Sequence, residues 1–201
     1  FFMKLNELEQ LDEINLRKAA VAGALGLATM GAPGTSEPSS VSNYYPSSMS
    51  TPTINPPYSR MVEFISDKYN IEESLAYKIV ELAHKYEDPK FPKAKDILSV
   101  IGVESSFNPS AVSRLKKDPA RGLMQVRPGV WGIPKAELID VEQQIAYGTK
   151  ILKEYHQRFR NKWKTLHAYN IGMTKVRHGE DSPEYVQKFK DTRKQFAAKG
   201  M

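Results

Sequence analysis

Glu104 is the acid whose neighbours best suit it to proton transfer. It follows Ile97-Leu98-Ser99-Val100-Ile101-Gly102-Val103, a run that reads as a buried helix. A carboxyl set among apolar groups is disfavoured in its charged form, so its pKa rises. A general acid working near neutral pH needs that rise. Ser105, Phe107 and Asn108-Pro109 come next as a turn, which puts Glu104 at an exposed rim. Taken alone, an acid at a helix end more commonly caps the helix or pairs with a Lys or Arg. Two further segments alter that balance. Gly122-Leu123-Met124-Gln125 offers a glycine for close backbone approach, and an amide that donates and accepts. Ala168-Tyr169-Asn170 offers a phenol able to hold a buried carboxyl in one rotamer and protonation state. In isolation these segments read as a helix start with a core Leu-Met pair and as a core tyrosine. Their joint occurrence within 67 residues argues for a site.

Helices must position these groups. Apolar residues recur at three-to-four spacing over Met61 to Tyr69 and Ser74 to Tyr86. Pro89 and Pro92 interrupt the pattern, and Lys93 to Ser105 resumes it. Val141 to Arg160 reads as a long amphipathic helix and Trp163 to Ile171 as another. Ser182 is the expected N-cap of a last helix, with Pro183 at its first position. The spacing predicts an all-α domain over residues 58–201, with a small irregular or β segment between Phe107 and Arg121.

The 201 residues suit one domain plus extensions. There is no cysteine, hence no disulfide framework or thiolate metal site. The four histidines lack metal-ligand spacing, so no metal is expected. Residues 58–201 carry a net charge of +8 and residues 1–57 a net of −2. A basic domain suits a polyanionic partner. Nucleic acid is set aside because no zinc finger, RNA-recognition signature or P-loop accompanies the charge. Residues 1–32 form a helical then apolar segment. Its stretch 19–30 is too short for an ordinary transmembrane helix. It reads as a signal or membrane-contacting segment, or as an amphipathic helix docking on a partner, the second being favoured. Residues 33–57 hold six prolines, ten Ser/Thr and one charge, and read as an extended linker.

The segments beginning at Glu104, Gly122 and Ala168, in this order, resemble the lytic transglycosylase family, with its soluble lytic transglycosylase and goose-type-lysozyme-like catalytic domain. The resemblance covers about residues 75–196. It implies a lysozyme-like helical fold that cleaves peptidoglycan glycan strands without a cofactor. It matches Glu104, first of the Glu104-Ser105 pair, to the family's single catalytic acid. It implies that Met124 and Gln125 line the saccharide cleft, that Ser105 binds substrate and that Ser113 contacts an N-acetyl group. It further implies that Tyr169 holds Glu104 and that Asn170 supports the cleft. Two features depart from the family pattern. Gly172 is followed by Met173-Thr174-Lys175 where relatives usually carry a second glycine, and Leu115-Lys116-Lys117-Asp118-Pro119 is unusually basic.

The resemblance implies cleavage between MurNAc and GlcNAc with closure of a 1,6-anhydro ring. A hydrolytic lysozyme on the same fold is the near alternative, and its second acid would be sought among Asp118, Glu137 and Asp140. A non-catalytic peptidoglycan-binding or virion assembly protein is the distant one. A small muralytic domain on a Pro/Ser tether suits the cell envelope or periplasm, or a phage particle. Either setting gives residues 1–57 a protein partner.

Overall fold

The computed structural model describes residues 58–199. The expectations for the N-terminal segment, its membrane contact, its partner and the linker fall on residues 1–57 and lie outside the described residues. Helix α1 is Ser59–Tyr69, α2 Glu73–Tyr86 and α3 Ala94–Glu104. A short α4, Pro128–Trp131, and a 3-10 turn, Glu137–Ile139, precede the long α5, Val141–Phe159. Helices α6 (Lys162–Ile171), α7 (Met173–Arg177) and α8 (Pro183–Ala197) complete the order. The all-α expectation holds across the described residues. Between Phe107 and Arg121 the irregular segment forms only isolated antiparallel bridges, Val112 with Arg121 and Arg121 with Val126.

Helix α3 lies at the centre because it is apolar on nearly every face. Ile97, Leu98, Val100 and Ile101 are wholly buried. It packs against α8 and α2, and α2 in turn meets α1 and α5. Gly102 has no room for a Cβ, which would stand 2.9 Å from Thr192 of α8 and from the Tyr69 hydroxyl. Close approach of α3 to its neighbours therefore requires glycine there. The start of α3 is tied by buried Asp96. Its Oδ1 accepts from Lys162 Nζ at 2.6 Å and Arg193 Nε at 2.7 Å, and its Oδ2 accepts from the Lys93 amide. One carboxylate thus joins α3, α6 and α8.

Local caps set the outer helices. Asp140 accepts from the Gln143 amide to start α5, and Asn161 accepts from Trp163 and Lys164 to start α6. Ser182 precedes α8 as expected, with Pro183 following. However, its side chain makes no cap bond. The Ser182 hydroxyl and amide both meet His167 Nδ1 instead, at 3.2 and 2.9 Å, joining α8 to α6. A partner across the fold has displaced the local one.

Buried Gln144 of α5 holds the 109–126 segment in place. Its Oε1 accepts from the Leu123 amide at 2.7 Å, and its Nε2 donates to the Pro109 and Leu138 carbonyls. Gly122, at φ 73°, lies directly on this amide, and a Cβ there would fall 2.3 Å from Gln144 Cδ. Gln144→Leu keeps the volume but leaves one amide and two carbonyls unpaired. It is expected to lower unfolding free energy by about 2–5 kcal/mol in urea titration. A loss under ~1 kcal/mol would show that other contacts hold the segment.

Candidate active site

Glu104 is the last residue of α3 and sits partly buried at the surface of a cleft of about 510 Å³. The turn behind it explains its position. Ser106 and Phe107 take φ values of 51° and 62°, which non-glycine residues rarely adopt. Phe107 is wholly buried against Tyr69, with ring centroids 4.5 Å apart, and lies 6.2 Å from Phe196. Core burial of this ring offsets the backbone cost of about 1–2 kcal/mol per left-handed residue. It also reverses the chain directly after Glu104, leaving the carboxyl at the helix end.

Burial drives the Glu104 pKa up to about 7, against the opposing hydrogen bond from Tyr185. The Tyr185 hydroxyl donates to Glu104 Oε1 at 2.7 Å. The expected contact from Tyr169 is therefore corrected. The Tyr169 hydroxyl instead donates to the Met124 carbonyl at 2.8 Å. Tyr169 remains in the cleft wall and close enough to Glu104 to feel its charge. Burial first and the Glu104 charge second raise both phenols well above their usual pKa, so both stay neutral donors. Tyr185-Val186 lies within the span of the resemblance, but nothing local in the sequence pairs Tyr185 with Glu104, 81 residues away.

The other expected site residues divide into two groups. Ser113, Gln125, Tyr169 and Asn170 line the cleft with Glu104. Met124 does not, contrary to expectation. Its side chain is wholly buried against Gly148, where a Cβ would stand 2.5 Å from its sulfur. Its apolar thioether packs the core, while its carbonyl orients Tyr169. Ser105 is also not part of the cleft wall. Its hydroxyl faces the Leu123 carbonyl at 2.8 Å and the Ile101 carbonyl at 3.2 Å, fastening the loop to α3.

Gln125 takes φ 48°, and its Nε2 donates to the Ala111 and Gly122 carbonyls. Its donors are thus spent locally, leaving Oε1 as the amide's acceptor. The Ser113 Oγ accepts from the Ala120 amide at 2.8 Å, leaving its proton free to donate. Trp131 and Tyr155, 5.7 Å apart between ring centroids, form an aromatic part of the wall that sequence reasoning did not single out. Gly172 and Thr174 also line it, so the unusual Gly172-Met173-Thr174 segment shapes the cleft directly.

Glu104 is the one carboxyl among the residues lining this cleft. The three acids considered as its partner are engaged elsewhere. Asp118 accepts from the Gly129 and Val130 amides, Glu137 from the Tyr147 hydroxyl, and Asp140 caps α5. A second depression of about 470 Å³ meets the cleft at Glu104 and Asn170 and holds Asp181 and Glu184. The acid therefore borders both depressions. Among the described residues no three metal-ligating side chains cluster.

Comparison with known proteins agrees with this geometry. The sequence pattern of the transglycosylase SLT domain matches residues 81–192, more than half of the chain. The match includes Glu104, Tyr169 and Tyr185. Over 107 residues the chain is 36% identical to membrane-bound lytic murein transglycosylase C of Pectobacterium atrosepticum. That alignment covers 47% of this chain but 23% of the relative, so the chain spans under a quarter of that protein's length. The helical, lysozyme-like architecture and the matched span together place the protein in the transglycosylase SLT domain family.

Proposed function

We propose that the protein is a peptidoglycan lytic transglycosylase that cuts the β-1,4 bond between MurNAc and GlcNAc. The observation that carries this reading is Glu104, a single cleft carboxyl with a pKa near 7, held by a neutral tyrosine. Most glycosidases need two carboxylates flanking the bond. A lone acid suffices when the substrate supplies its own nucleophile. The protonated Glu104 donates to the glycosidic oxygen as the C1–O bond breaks, and GlcNAc leaves as an alcohol. The 2-acetamido group supports the developing oxocarbenium centre. Glu104, now a carboxylate, accepts the proton of the MurNAc C6 hydroxyl as O6 bonds to C1. The acid is restored and no water is consumed. Closure within one sugar benefits from a high effective concentration of the nucleophile.

The cleft chemistry fits a sugar polymer. Trp131 and Tyr155, both largely buried, add a small apolar portion to the wall. The Gln125 Oε1 and the Ser113 proton suit amide and hydroxyl groups. The Pectobacterium relative is named as membrane-bound and murein-cleaving, which favours the cell envelope over a viral particle as the place of action. A protein partner for residues 1–57 remains part of this proposal, resting on their tether-like composition.

Digestion of purified peptidoglycan followed by mass spectrometry tests the reaction. Muropeptides lighter by one water than reducing ones are expected, and Glu104→Gln should slow their release about 10²–10⁴-fold. Reducing-end products would assign the protein to the hydrolases instead.

Activity should decline as pH rises through about 7, where Glu104 loses its proton. The Tyr185 hydrogen bond favours the carboxylate, so Tyr185→Phe should move this alkaline limb to higher pH. An unmoved limb would mean that the limb reports another group.

Folding linkage gives an independent check. The folded pKa exceeds the unfolded one, so the native state holds the extra proton between about pH 4.5 and 7. Stability from this group is therefore complete below that window and falls across it as pH rises. Glu104→Gln removes the buried charge. It should be stabilising at pH 8 relative to pH 4, by on the order of 2–3 kcal/mol in thermal or urea unfolding. A pH-independent difference would refute the raised pKa.

A further inference from the structure

The loop 113–120 lines the cleft through Ser113, Leu115 and Ala120 and is built to stay in place. The Ser113 amide donates to the Ala120 carbonyl at 2.9 Å, and the Ala120 amide returns to Ser113 Oγ at 2.8 Å. Asp118 pins the far side by accepting from the Gly129 and Val130 amides at 2.9 and 3.1 Å. The same carboxylate lies 3.6 Å from Arg127, which lines the cleft. Asp118 is thereby occupied as an anchor and an ion-pair partner.

The tip it holds out has an unusual composition. Leu115 lines the cleft, yet 52% of its surface is exposed. Around it Arg114, Lys116 and Lys117 are exposed, and none pairs with an acid among the described residues. The neighbouring depression, which shares Glu104 and Asn170 with the cleft, carries Asp181 and Glu184 beside Lys188, so charge differs between the two. Three cations around an exposed leucine, on a loop whose backbone is already ordered, form a recognition surface. Its complement is an anionic ligand with an apolar portion.

We infer that the 114–117 tip reads the acidic peptide substituents of the strand, making peptide-bearing glycan the preferred substrate. This rests on the glycan-cleaving reading above and adds to it which strands are selected. A stem peptide joined to the sugar through its lactyl group carries free carboxylates and small apolar side chains. Those two features match Arg114, Lys116 and Lys117 on one hand and Leu115 on the other. The carboxylates are the shared chemistry, and the lactyl carboxylate exposed on peptide-free strands is their other source.

The full chain and its triple variant Arg114→Ala/Lys116→Ala/Lys117→Ala are compared on three substrates. These are peptide-bearing strands, the same strands with peptide carboxylates converted to amides, and strands stripped of peptides by an amidase. The wild type is expected to show about fivefold or higher kcat/KM on native over amidated strands, through KM and most strongly at low salt. The triple variant should bring that ratio near one, and Lys116→Arg/Lys117→Arg should restore it. An equal ratio in wild type and triple variant overturns the inference and leaves the proposed reaction standing. Loop-dependent turnover of stripped strands matching that of native ones would also overturn it, by assigning the contact to the lactyl carboxylate. No turnover of any strand by the wild type would sink the proposed reaction itself. Salt-sensitive co-sedimentation with native and amidated sacculi then decides the recognition claim alone. Binding that tracks both the peptide carboxylates and the loop cations supports it, and binding indifferent to either refutes it.

Discussion

The desolvation of one carboxyl organises this molecule. Helix α3 is apolar on nearly every face and is enclosed by α2 and α8, so its last residue leaves the core at the wall of a cleft. A charge at that point loses water without gaining a cation. The helix end is also the negative end of its dipole, which gives an anion no relief. The protonated state is therefore favoured near neutrality, and Tyr185 tempers that preference by hydrogen bonding to the carboxylate. The balance leaves a group that can both give and take a proton at similar pH. A mechanism with one acid requires that dual capacity.

Holding such a group in place calls for rigid surroundings, and these are built from buried polar links rather than disulfides. Asp96 ties the starts of α3 and α6 to α8, which carries Tyr185. Gln144 and Gly122 fix the loop from which Ser113 and Gln125 enter the cleft. Tyr169, on α6, fastens the Met124 carbonyl of the same loop. Each link has its donors and acceptors matched, so each adds specificity without leaving a costly unpaired group. The strained residues Ser106, Phe107 and Gln125 lie on this framework beside the cleft. Buried packing and hydrogen bonds elsewhere offset their backbone cost.

The helices were legible because burial imposes a period of three to four residues on any chain packed on one face. Ser182 and Pro183 stand at the start of α8, as their residue types predict, although the Ser182 side chain makes no cap bond. A cap needs only local residues, but a distant partner such as His167 can take the same hydroxyl. Glu104 stood out because apolar neighbours in sequence were also its neighbours in space. Met124 and Ser105 stood beside functional positions in the chain, yet their side chains turn to the core and the loop backbone. Adjacent residues in a tight turn point in different directions, and residue type does not disclose which direction each takes.

The amino-acid sequence by itself determined the all-α class and the family, and it singled out Glu104 as the candidate acid. Each of these is encoded in residues close together along the chain: the helical periodicity, the three segments, and a carboxyl after an apolar run. The tertiary structure alone decided that Tyr185 rather than Tyr169 holds the acid, that Trp131 and Tyr155 complete the wall, and that Asp118 serves as an anchor. Those are contacts between residues far apart in the chain. Their geometry is set by how helices pack and loops close, and side-chain chemistry without that packing leaves several partners equally possible.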